Sequence, residues 1–247
     1  MTAGKAFMVT GGASGIGEAT AALLAASGAA VTVADRDETG GTAVAQRLVA
    51  AGGQAQFVKL DVRDEDSVKA AVTQAVAAFG RLDGAVNSAG VEQKGQWLHE
   101  LDVADWDFCT SINLRGMFLC VKHQIAAMLP TGGAIVAVSS AAAVKGLVGS
   151  AEYCAGKAGV LGLVRAAAAD YADRGIRINA LLPGGTATPL ARRSTAGNPR
   201  LAGTLRIPMG RMAQPEEIAA AAIWLVSDGS SYVTGACLAA DGGMTIA

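Results

Sequence analysis

Short apolar runs recur along the chain, each closing on small or polar residues, and between them lie longer segments whose apolar positions return with helical spacing. Residues 6–9 lead into the glycine-rich turn 10–17, residues 18–27 read as a helix, and residues 30–34 supply the next strand. The alternation continues with helices expected over 38–51, 65–79 and 153–173, and strands over 56–60, 85–86, 134–138 and 176–181. A long helical region over 104–128, a helix over 215–226 and a strand over 236–240 complete the pattern. Strands and helices in strict turn predict an α/β fold, one doubly wound parallel sheet with helices on both faces, in a single domain over 1–247. Ligands of such sheets bind beyond the carboxyl ends of the strands, where most of the polar turns fall.

The pattern lapses over 189–214, a polar, glycine-containing stretch with five arginines, Arg192, Arg193, Arg200, Arg206 and Arg211. An unpatterned loop of this length inside a compact domain is usually functional, so it is expected to be a lid over the site. Its arginines are expected mainly as a solvated surface, with the grip of an acidic substrate or of cofactor phosphates as the alternative.

Composition narrows the picture. Hydrophobic residues make up 51% of the 247, with 4% aromatic, so the core must be built from Ala, Val, Leu and Ile, which suits a parallel sheet between closely packed helices. A net charge of −1 without blocks of like charge argues against nucleic acid or an anionic membrane as partner, and favours a small neutral or mildly polar ligand. Four scattered cysteines and two histidines suggest neither a metal site nor a disulfide framework. The amino end enters a strand at once and no apolar run reaches membrane-spanning length, so a soluble cytoplasmic protein with reduced thiols is expected.

Two groups of residues suggest chemistry. Glycines between a strand and a helix let the backbone approach a pyrophosphate, whose charge the free N–H groups of the helix start stabilise. Asp35 ends the second strand, 18 residues beyond Gly17, where a carboxylate accepts bonds from ribose hydroxyls and repels a 2′-phosphate. NAD is therefore favoured over NADP, although the guanidinium of Arg36 could pair with that phosphate. Tyr153 and Lys157 stand four residues apart on one face of a predicted helix. An ammonium beside a phenol is expected to lower its pKa, and the pair could then move a proton at an alcohol or carbonyl oxygen.

With Asn87-Ser88-Ala89-Gly90, the helical Asn113, Ser139-Ser140 and Pro183-Gly184 added in this order, nearly the whole chain resembles the classical short-chain dehydrogenase/reductase family, a single-domain Rossmann-type fold. The resemblance implies that Gly11, Ser14, Gly15, Ile16 and Gly17 hold the cofactor, with Asp35 as the selector of NAD. It places Asp61 and Val62 at the adenine, Asn87, Ala89 and Gly90 along the cofactor, and Pro183, Gly184, Thr186 and Thr188 at the nicotinamide end. Ser88 replaces a second asparagine of the family pattern, which puts one strand-stabilising hydrogen bond in doubt. Ser140, 13 residues before Tyr153, matches the serine that polarises the substrate oxygen. Tyr153 would be the acid/base, Lys157 would lower its pKa and bond the ribose, and Asn113 would hold a water linking Lys157 to solvent. Glu92, Gln93, Trp97, His99, Val144, Leu147 and Leu190 fall in the segments expected to wall the substrate.

The implied activity is NAD-dependent interconversion of a secondary alcohol and a ketone by a homotetramer. An NADPH-dependent 3-oxoacyl-thioester reductase is the rival, opposed by Asp35. A dinucleotide-sensing or scaffold protein without catalysis is a further rival, opposed by the presence together of Asn113, Ser140, Tyr153 and Lys157.

Overall fold

The computed structural model describes residues 2–201 and 206–247. Seven parallel strands form one sheet in the order β3-β2-β1-β4-β5-β6-β7. They are β1 (Ala6–Thr10), β2 (Ala30–Asp35), β3 (Gln54–Lys59), β4 (Gly84–Asn87), β5 (Gly133–Val138), β6 (Ile176–Pro183) and β7 (Cys237–Ala240). The helices are α1 (Gly15–Ala26), α2 (Glu38–Ala50), α3 (Glu65–Phe79), α4 (Val103–Thr110), α5 (Met117–Met128), α6 (Ala151–Tyr171), α7 (Pro189–Gly197) and α8 (Pro215–Val226). Strand order reverses between β1 and β4, which opens a crevice at their carboxyl ends.

The central strands β1 and β4 are buried along their whole length, which explains why they read as continuous apolar runs rather than alternating ones. One face of the sheet packs α3, α5 and α6 through residues such as Val68, Ile125 and Val164, and the other packs α1, α2 and α8 through Leu24, Val44 and Leu225. Local chemistry sets the helix ends. The Asp37 carboxylate accepts from Gly40 N at 3.0 Å to cap α2, and that of Asp64 accepts from Asp66 N at 3.0 Å to cap α3.

One expectation is refined and one changes. The helical region over 104–128 is continuous with Asn113 in its interior, as expected, but a π-type stretch, Ser111–Gly116, lies between α4 and α5 and carries Asn113. The stretch over 189–214 is not featureless: Thr188 Oγ1 accepts from Ala191 N at 3.1 Å and Pro189 occupies the first turn, a start signal for α7. Residues 202–205 of the expected lid lie outside the described residues. Among the described residues no helix is long and apolar enough to cross a membrane, and no three His, Cys, Asp or Glu side chains cluster as a metal site.

Candidate active site

A cleft of about 730 Å³ runs along the carboxyl ends of the strands from the glycine turn to α7. The turn is shaped by close approaches that only glycine allows. Gly11 has φ +68°, and a Cβ there would fall 2.6 Å from Ala89 N; at Gly17 it would meet Gly11 O at 2.1 Å. Whereas Asp37 and Asp64 cap their helices, Ser14 makes no side-chain cap at α1, and Ser14, Gly15 and Ile16 face the cleft. An anionic pyrophosphate fits that helix start.

Asp35 reaches back from β2 to the turn, its Oδ2 accepting from Ala13 N at 3.0 Å and its Oδ1 from Asp37 N at 3.0 Å. Arg36, Asp61 and Val62 line the same end. The Asp61 carboxylate is held by Arg63 at 2.6 Å, and that hydrogen-bonded guanidinium lowers its pKa. Arg63 also lines the cleft, a residue that sequence reasoning missed.

At the middle of the cleft, Ser140, Tyr153 and Lys157 come together as expected, with Ala89, Gly90, Pro183, Gly184, Thr186 and Thr188 around them. Lys157 Nζ lies 5.7 Å from the Tyr153 ring centre and donates to Val138 O at 3.0 Å. Ser139, by contrast, turns its hydroxyl onto Lys157 O at 2.8 Å and so anchors the backbone of α6. Ser140 Oγ accepts from Ala142 N at 3.1 Å, which leaves its own proton free to donate. The Thr188 hydroxyl is spent on the cap of α7, and that of Thr186 donates to Gly184 O at 3.1 Å.

The expected depression of the Tyr153 pKa is absent. Burial pushes the phenol up to about 12 against the pull of the Ser140 hydroxyl, and burial pulls the Lys157 ammonium down to about 8. One cause explains both shifts, because a low-dielectric site disfavours whichever form is charged.

Three expected site residues stand behind the wall rather than on it: Gly17, Asn87 and Asn113 do not line the cleft. Asn113 is fully buried, accepting from Val91 N and donating to Val91 O, each at 3.1 Å, and so ties the π-type turn to the irregular segment that follows Gly90. Asn87 and Gln124 exchange two amide hydrogen bonds of 2.8 Å between β4 and α5. Ser88 keeps the strand joined through its own backbone, donating to Thr10 O at 3.0 Å.

The far end is closed by α7. Arg193 reaches Glu92 at 2.9 Å, Gln93 Nε2 donates to Ser194 Oγ at 2.6 Å, and Arg200 stacks 4.7 Å from the Trp97 ring centre. Arg211 pairs with Glu217 at 2.7 Å. All five arginines are exposed, as expected of a solvated surface, although Arg193, Arg200 and Arg211 also contact protein groups. Leu147 and Leu190 line the cleft, whereas Trp97, His99 and Val144 do not.

A model of the family described as enoyl-(acyl carrier protein) reductase matches residues 11–245. The chain belongs to the short-chain dehydrogenase/reductase family, oxidoreductases that act on CH–OH groups with a nicotinamide dinucleotide. It is similar to 2,5-dichloro-2,5-cyclohexadiene-1,4-diol dehydrogenase of Sphingobium indicum, 48% identical over 98% of this chain and 97% of the relative. It is also similar to cis-4-hydroxycyclohexanecarboxylate dehydrogenase of Sinomonas cyclohexanicum, 50% identical over 96% and 95% of the two chains. Among solved structures, levodione reductase superposes with a TM-score of 0.95 at 35% identity, covering 99% of each chain.

Proposed function

We propose that this protein is an NAD-preferring dehydrogenase that interconverts a secondary alcohol on a six-membered carbon ring and the corresponding ketone. One observation carries the reading: Ser140, Tyr153 and Lys157 share a cleft with an uncapped helix start and the Asp35 carboxylate. The ring comes from the relatives, two of which are named for hydroxylated cyclohexane or cyclohexadiene substrates.

The bound nicotinamide supplies hydride acceptance or donation at the carbinol carbon. Ser140, whose oxygen is already held by Ala142 N–H, donates to the substrate oxygen. Tyr153 exchanges the proton with that oxygen. Lys157 has three donors, of which Val138 O takes one, leaving the others for the cofactor ribose and for the charge that develops on the phenol. Asn113 positions these groups by fixing the Val91 backbone. Asp35 selects NAD, because its carboxylate repels a 2′-phosphate.

A phenol held protonated by burial is a ready donor for ketone reduction at neutral pH. Alcohol oxidation, which needs the phenolate, should accelerate as pH rises from 7 to 9 while reduction does not. Initial rates of NADH formation from cyclohexanol and cyclohexane-1,4-diol test the activity; no turnover of either, or faster turnover with NADP, would contradict it. The chain should also self-associate, as Trp106, Phe108 and Phe118 expose aromatic surface on neighbouring α4 and α5. Light scattering at micromolar concentration would show a tetramer if so, and a monomer if not.

A further inference from the structure

Gln93 is 96% buried by its neighbours, with 4% of its surface exposed, and that remainder borders the cleft. Its two amide ends have different fates. Nε2 donates to Ser194 Oγ at 2.6 Å and approaches the Ser194 carbonyl oxygen at 3.4 Å, a partner that can only accept and so fixes which end is nitrogen. Oε1 makes no hydrogen bond among the described residues. It is not sealed inside protein either, since the sealed and unpartnered side-chain atoms among those residues are Gln96 Oε1 and Asn198 Oδ1. The oxygen therefore keeps some accessible surface, on a residue that lines the cleft and whose amide Ser194 orients.

The cations nearby are committed. Arg193 lies on Glu92 at 2.9 Å, and Lys94 on Asp105 at 2.9 Å. What this wall offers a ligand is an acceptor, which suits a hydroxyl and opposes a carboxylate. The position is also within reach of the reacting centre. Gln93 follows Gly90 by three residues, at most about 11 Å of extended chain, and a Cβ at Gly90 would lie 3.5 Å from Lys157 Nζ.

We propose that Gln93 is a specificity-determining residue whose carbonyl oxygen accepts a hydrogen bond from a second hydroxyl of the substrate, selecting ring diols over ring mono-alcohols and hydroxy-carboxylates. The inference rests on the alicyclic-alcohol reading above. It goes further by choosing between the two relatives' substrate types, a 1,4-diol and a 4-hydroxycarboxylate. A mono-alcohol leaves the oxygen unpaired in a desolvated wall, and a carboxylate sets lone pairs against it.

The test measures kcat and KM with NAD for cyclohexane-1,4-diol, cyclohexanol and 4-hydroxycyclohexanecarboxylate. In the native protein kcat/KM for the diol should exceed that of the other two by about tenfold, mostly through KM. Gln93→Leu should collapse that ratio to about one, whereas Ser194→Ala, which leaves the oxygen but frees its orientation, should give a ratio between that and the native one. A native ratio near one, an unchanged ratio in Gln93→Leu, or a Ser194→Ala ratio at or above the native one would overturn the proposal. If Gln93→Leu is inactive on everything, Gln93→Glu, which keeps an acceptor of the same length, decides by retaining or losing the ratio. Failure to oxidise any of the three alcohols would instead contradict the underlying alcohol reading.

Discussion

The two ends of the cleft are built differently. At the glycine turn the wall is backbone, fixed by Gly11 against Ala89 and by the Asp35 carboxylate on Ala13 N, all within short reach of β1, β2 and β4. At the α7 end the wall is made of side chains that meet from opposite sides of the fold, Glu92 with Arg193 and Gln93 with Ser194. A backbone wall can take a pyrophosphate with little dependence on the neighbouring side chains, and on the reading proposed above only Asp35 there bears on which dinucleotide is held. A wall of side chains can be rewritten residue by residue, so selectivity belongs there.

The comparison breaks most sharply at the centre. Tyr153→Phe should lower turnover by about 10³-fold, within the range of general acid–base catalysis, while calorimetric titration finds NAD binding unchanged; loss of both would mean the two ends are not separable. Asp35→Ala tests the backbone end alone. It should cut the NAD to NADP ratio of kcat/KM by about tenfold, consistent with losing a charged acceptor, and leave the ranking of alcohols as it was.

Lys157→Met probes the cost of the centre. The Lys157 pKa falls from its ordinary 10.5 to about 8, so at pH 7 the folded state bears a buried ammonium that the unfolded chain solvates freely. Between about 8 and 10.5 the folded protein releases this proton before the unfolded one does, and stability rises with pH. Tyr153 acts in the opposite sense only above its ordinary 10.0, where the unfolded chain ionises first. Burial also raises the thiols of Cys109, Cys120 and Cys154 above their ordinary 9.0, so the unfolded chain ionises them first and both proteins lose stability as pH approaches 9. Thermal unfolding should therefore find the methionine variant, though inactive, about 3 °C more stable than the native protein at pH 7, with that difference shrinking by pH 9; a difference that does not change with pH would refute the account. The smallest effect is expected at the far end. Glu92→Gln weakens a partly exposed ion pair worth at most about 1 kcal/mol, and should raise KM for the alcohol about twofold without moving KM for NAD.

The same division explains what could be read from the sequence. Strand and helix order, the glycine turn, Asp35 and the Tyr153–Lys157 pair rest on local patterns and fixed spacings, and all reappear where expected. The π-type turn at Asn113 has no comparable signature, because widening one turn leaves the apolar spacing on either side intact. The partnership of Gln93 with Ser194 spans 101 positions, and nothing in either neighbourhood announces it. The sign of the Tyr153 shift was also out of reach, since it depends on how much solvent the folded chain removes rather than on which cation stands nearby.

The twin amides of Asn87 and Gln124 carry a consequence for how such a chain can diverge. Each satisfies the other as complementary bases do in a duplex, so a lone replacement strands a polar amide in the dry interior, whereas a concerted exchange to two aliphatic residues leaves only the Thr10 hydroxyl, which donates to Asn87 Oδ1 at 3.3 Å, without that partner. Divergence at this spot should proceed by paired steps, locking the last residue of β4 to the middle of α5 while the outer walls remain free to vary.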